Sequence, residues 1–169
     1  MTINKEQLEK LESLYQTFLN DEKVLRMQDI SMHRGSNCYL HCFKVAKKAI
    51  SKSLNKKNIN LEVVLVGAIL HDYYLYDWRK DRSKLKKHAK NHPHVAIENA
   101  IRDFAISDDI KRVIETHMWP INFKAFPNTK EAKVVSLADK AVTIGESLTG
   151  KRYKQKKREK YLSYISHLF

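Results

Sequence analysis

Residues 63–72 read VVLVGAILHD: eight positions without a polar side chain, then an imidazole beside a carboxylate. A helix that is apolar on every face has no side left for water and is buried, so His71 and Asp72 are expected at the end of an interior helix. Moving an ionised carboxylate out of water costs several kcal/mol unless the group is paired, neutralised or bound to a cation. A His-Asp hydrogen bond would satisfy both groups, and so would a shared metal ion. The rest of the chain decides between them.

Outward from this stretch the pattern is helical. Asn60, closing the loop NKKNIN, is placed to cap the apolar helix, and Ser36 or Asn37, after the break HRGS, to cap a helix running to about Lys52. Leu8, Leu11, Leu14, Tyr15, Phe18 and Leu19 form one stripe of a first helix, followed by a short helix over 21–30. Beyond the apolar helix, 73–91 reads as a long irregular connection of the kind that often carries function. Pro93 suits the first turn of a helix to about Phe104. Ser107, with Asp108 and Asp109, opens a helix to about Trp119. After the loop PINFKAFPN, a helix from about Thr129 ends at Gly150. In the last helix Tyr161, Tyr164, Ile165 and Leu168 are spaced to pack on one side.

With 4 Gly and 3 Pro in 169 residues, the turn signals for many short strands are missing. The expectation is an all-α protein folded as a single domain over 1–169. No apolar run approaches the roughly 18 residues of a membrane span, and the opening MTINKEQLEK is no signal peptide. A cytoplasmic protein without a membrane partner is expected. Cys38 and Cys42 lie four apart in one helix, which suits buried thiols better than a secreted disulfide framework.

The formal charge of +13 is concentrated in two places. RKDRSKLKKHAK at 79–90 carries seven Lys/Arg against one Asp, and KRYKQKKREK at 151–160 carries seven against one Glu, so each contributes +6. Such a field attracts anionic small molecules and also binds nucleic acid without reading its sequence.

Imidazoles and carboxylates suit first-row divalent metals. The candidates are His41, His71, Asp72, His92, His117 and Asp139, all in expected helices or at their ends. Asp139 repeats the problem of Asp72, being an acid that follows the mostly apolar VVSLA. Two acids in apolar settings, each with histidines to hand, favour a shared metal over separate buried hydrogen bonds.

The order His41, His71-Asp72, Asp139, over about Arg34 to Glu146, resembles the signature of the HD superfamily of metal-dependent phosphohydrolases. His92 and His117, standing between the HD pair and the last Asp, resemble the extended set of dinuclear members. The resemblance implies a phosphodiesterase-like helical bundle with its motif-bearing core at about 34–146 and a basic C-terminal helix at about 151–168. It implies one or two divalent ions (Fe, Mn, Co, Ni or Mg), one held by His41, His71, Asp72 and Asp139 and the other by Asp72, His92 and His117. The Gly-Lys after the HD pair and the downstream Gly-Tyr-Pro of members that cleave cyclic dinucleotides are absent here, where HDYYLYDW stands. That substrate is not implied.

The expected reaction is hydrolysis of a phosphate ester of a nucleotide or another small phosphorylated metabolite by a metal-bound hydroxide. Asp72, Lys140 and Arg34 are the catalytic candidates, and Arg34, Arg79, Arg82, Lys140, His88 and His33 the candidates for binding the anionic substrate. His94 and His167 read as ordinary surface or packing residues. Two alternatives remain at this stage. The same ligand set resembles di-iron oxygenases of the HD fold, and the 151–160 segment, with Tyr153 and Tyr161 able to stack on bases, could make a non-enzymatic nucleic-acid binder.

Overall fold

The computed structural model describes residues 3–32, 36–77, 88–148 and 155–169, with the side chains of 155–158 and 161 outside that description. His33, Arg34, Arg79, Arg82, Gly150, Tyr153, the Tyr161 side chain and most of the two basic segments therefore lie outside the described residues. The described chain is helical: α1 (Lys5–Asn20), α2 (Glu22–Leu25) continuing as a 3₁₀ turn (Arg26–Asp29), α3 (Cys38–Ser53), α4 (Leu61–Leu70), α5 (His88–Phe104), α6 (Asp108–Thr116), α7 (Lys130–Leu148) and α8 (Gln155–Ile165). The all-α expectation is met.

The caps follow from residue chemistry. Asn4 and Gln7 form a reciprocal capping box at α1. Asn37 accepts from the Leu40 amide at α3, Asn60 from those of Glu62 and Val63 at α4, and Ser107 from that of Ile110 at α6. Each satisfies amides that a helix start leaves without a partner.

Two boundaries differ from expectation. α5 begins at His88, so Pro93 sits in its second turn, and His92 Nδ1–H reaches back to the His88 carbonyl (2.9 Å), helping to hold the extra turn together. α6 stops at Thr116, three residues early, with His117 as its C-cap.

α4 is the central element. Val63 through Leu70 are all buried, and α4 packs on α1, α3, α6 and α7. A Cβ built on Gly67 would lie 2.6 Å from Val113 Cγ1 of α6, so only glycine permits this approach. That contact fixes the C-terminal end of α4 beside the C-terminal end of α6. The first and last helices are tied together by Tyr15 Oη–H donating to the Ile165 carbonyl (2.7 Å) and Gln16 Nε2–H to that of Ser166 (2.7 Å). Ile165 and Leu168 are buried as expected, whereas Tyr164 is exposed beside Lys47. Among the described residues no helix is long and apolar enough to cross a membrane.

Candidate metal centre

Five elements deliver the candidate ligands to one buried point. His41 comes from the first turn of α3, His71 caps α4 and Asp72 follows it, His92 stands in the second turn of α5, His117 caps α6, and Asp139 lies midway along α7. The four imidazoles are at most 3% exposed and Asp72 6%. His71 keeps helical backbone angles (φ −58°, ψ −31°) as the C-cap of α4, and Asp72 follows it in the turn beyond.

Asp72 faces two ways. Its Oδ2 lies 3.4 Å from His71 Nε2 and 4.0 Å from His41 Nε2, while its Oδ1 lies 3.1 Å from His92 Nε2 and 3.6 Å from His117 Nε2. Asp139 Oδ1 is 3.1 Å from His41 Nε2 and 3.8 Å from His71 Nε2. Among the described residues, ligand atoms fall within 4.8 Å of one another in four sets: His41, His71, Asp72; His71, His117, Asp139; Asp72, His92, His117; and Cys38, Cys42, Asp72.

The outer nitrogens fix the tautomers. Nδ1–H of His71, His92 and His117 donates to the carbonyls of Ala68 (2.8 Å), His88 (2.9 Å) and Ile114 (2.6 Å). A carbonyl only accepts, so each Nδ1 carries a proton, and a neutral ring then presents a bare lone pair at Nε2. His41 Nδ1 meets Glu146 Oε2 at 3.0 Å, and Glu146 Oε1 accepts from Lys44 Nζ (2.7 Å) and Ser36 Oγ (3.1 Å). Sequence reasoning missed Glu146. Its signal was its place seven residues after Asp139, on the same helix face, but the lysine that completes it comes from α3.

The charges follow from this crowding. Burial pushes the Asp72 carboxyl up, yet the imidazoles of His71, His92 and His117 outweigh it and hold the group well below the usual carboxylate range. Burial likewise opposes Asp139, which His41 and its neighbours pull down. His41 is disfavoured as a cation by burial but raised well above its ordinary value by Asp139 and Glu146. His117 is pushed down to about 3 by burial and by the charges of His71 and His92.

This donor set fits a divalent cation. His71 Nε2 is buried without a hydrogen-bond partner, and His92 Nε2 stands 2.9 Å from His117 Nε2. With both Nδ1–H groups committed to carbonyls, this short approach needs a proton or a metal ion between or beside the two nitrogens. Four such nitrogens aimed at two ionised carboxylates make a site for cations, with the outer hydrogen bonds orienting each ligand.

The family model of the HD domain matches residues 38–143. The chain belongs to the HD domain family. HD domains are typically metal-dependent hydrolases, and the His/Asp clusters of this one are of the kind that holds their divalent metals. No curated protein and no solved structure matches the chain.

The remaining candidates divide. His88 stacks on His92 (ring centroids 4.7 Å apart) and its Nδ1 meets Tyr76 Oη at 2.9 Å, so it lies beside the centre but outside the clustered sets. Lys140 Nζ donates to the His117 carbonyl (2.9 Å) and to Ser136 Oγ (2.8 Å) and O (3.2 Å). It thus closes the C-terminal end of α6, where a cation is favoured. Cys38 and Cys42 are buried, and Cys38 Sγ–H donates to the Asp72 carbonyl (3.2 Å). Burial pushes both thiols up, as expected of protonated packing residues. His94 and His167 are exposed.

Proposed function

We propose that this chain is a single-domain, metal-dependent phosphohydrolase that cleaves a phosphate ester of a nucleotide or small phosphorylated metabolite. The observation that carries the reading is the two-way placement of Asp72, one oxygen toward His41 and His71 and the other toward His92 and His117. In this reading His41, His71, Asp72 and Asp139 hold one ion, and Asp72, His92 and His117 hold a second. When bound, such ions supply Lewis acidity toward a phosphoryl oxygen and lower the pKa of a coordinated water.

The chain's own part is positioning and charge. Two carboxylates kept ionised by their imidazole neighbours favour dications, and four rings held at Nδ1 keep every Nε2 on target. Apolar walls from α3, α4 and α7 exclude water and so strengthen each charge interaction. His88, beside the centre, and Arg34, Arg79, Arg82 and His33 are proposed to meet the anionic substrate. Lys140 is proposed to act through His117, holding its carbonyl and therefore its ring.

The test is phosphate release from a panel of mono- and diesters by protein loaded with Mn, Fe, Co, Ni or Mg. Metal-dependent release that is lost in Asp72→Ala is the expected result. Iron-dependent oxygen consumption without phosphate release would overturn the hydrolase reading.

A further inference from the structure

One face of α7 forms the centre, through Asp139 and its neighbours, and the opposite face is bare. The outward positions from 137 to 148 are Leu137, Ala141, Ile144, Gly145 and Leu148, and none is charged. In a chain with 30% charged residues this is an unusual surface. Leu137, Ile144 and Leu148 are 67%, 58% and 80% exposed, and a Cβ built on Gly145 meets nothing within 4 Å.

The apolar surface continues onto the preceding loop, where Ile121, Phe123 and Phe126 are also more than half exposed. Lys133, one turn before Leu137 on the same face, holds its Nζ over the Phe126 ring at 5.9 Å and so links the two parts. All six of these large apolar side chains are more than half exposed, a larger apolar surface than the roughly 300–600 Å² that a lone soluble chain ordinarily shows. It approaches the ~800 Å² per partner of a stable complex.

We infer that this face is the two-fold interface of a homodimer, in which α7 pairs antiparallel with α7 of a second copy. The spacing is self-complementary, as a two-fold interface requires. Leu137 and Leu148 are centred on the point between Val142 and Thr143, and so are Ala141 and Ile144. In an antiparallel pair each leucine therefore meets a leucine, and each isoleucine enters the space above an alanine. Ala141 and Gly145 let the two helices approach closely. Two chains of +13 repel one another, and the outward positions from 137 to 148, which carry no charge, are where two copies meet with least repulsion. The contact should therefore tighten with salt, which screens the repulsion, whereas an acidic partner, nucleic acid or anionic membrane would be released by it. This inference is independent of the reaction proposed above.

Sedimentation equilibrium of the full chain at low and high salt tests it. The expected result is a dimer whose Kd falls as salt is added, with Ile144→Lys raising Kd at least about 100-fold. Ile144→Lys replaces an exposed side chain, so its circular dichroism and metal content should match the parent, and Leu25→Lys on α2 should leave Kd unchanged. A monomer at every concentration, an Ile144→Lys dimer as tight as the parent, or association that weakens with salt would overturn the inference. So would a monomer that co-sediments with anionic vesicles through this face.

Discussion

At one end of the centre His41 gives its Nδ1–H to a carboxylate, Glu146, which Lys44 balances; at the other, His92 and His117 give theirs to main-chain carbonyls one turn back in their own helices. The ligand types are the same and the backing is not. A carboxylate behind an imidazole makes the ring a better donor and adds negative charge near the ion. A carbonyl behind it fixes orientation only. At the His41 end a carboxylate backs His41 while His71 rests on the Ala68 carbonyl, and at the other both rings depend on where α5 starts and α6 stops, which exposes the two ends to different perturbations.

Asp72 belongs to both ends, so its loss should have the largest effect. Asp72→Ala is expected to take bound metal from about two equivalents to none and activity below about 1% of the parent, read by elemental analysis and phosphate release. Full metal content in that variant would remove the bridge from the account.

Gly67→Ala should break the geometric end. The new methyl meets Val113, and overpacking of this kind costs about 1–3 kcal/mol, lowering the melting temperature by roughly 3–10 °C. Because the strain moves α6 off α4, the metal lost should be the one held by His92 and His117. Glu146→Gln should do the reverse. Volume and hydrogen bonding are nearly kept while the charge goes, and affinity at the His41 end should fall about 10–100-fold, measured by competition with a chelator. The smallest effect is expected from Lys140→Met, about 1 kcal/mol of stability from the lost contacts to His117 and Ser136, with a modest change at the His117 end and no change in the KM for substrate.

The comparison also shows what sequence could carry. The apolar run of α4, the stripe of α1 and the caps at Asn37, Asn60 and Ser107 are local patterns, and they were legible because helix formation is local. The six candidate ligands stood out for a different reason: acids such as Asp72 and Asp139 in apolar settings demand a partner, and the order of the set resembles the HD signature. Glu146 was missed because its environment, Lys44 and His41, comes from α3 across the bundle. The hydrogen bonds of Lys140 to the His117 carbonyl and Ser136 were not legible, because that acceptor exists only where α6 ends against α7. The bare face of α7 was hidden for the same reason, since apolar residues surround that helix and only packing tells inside from outside.

The most direct measurement is an anomalous difference map from crystals of the manganese-loaded protein. We expect two peaks about 3.5–4 Å apart on either side of the Asp72 carboxylate, one toward His41, His71 and Asp139 and one toward His92 and His117. A map with no peak among these six side chains, from protein shown to carry manganese, would contradict the metal centre itself.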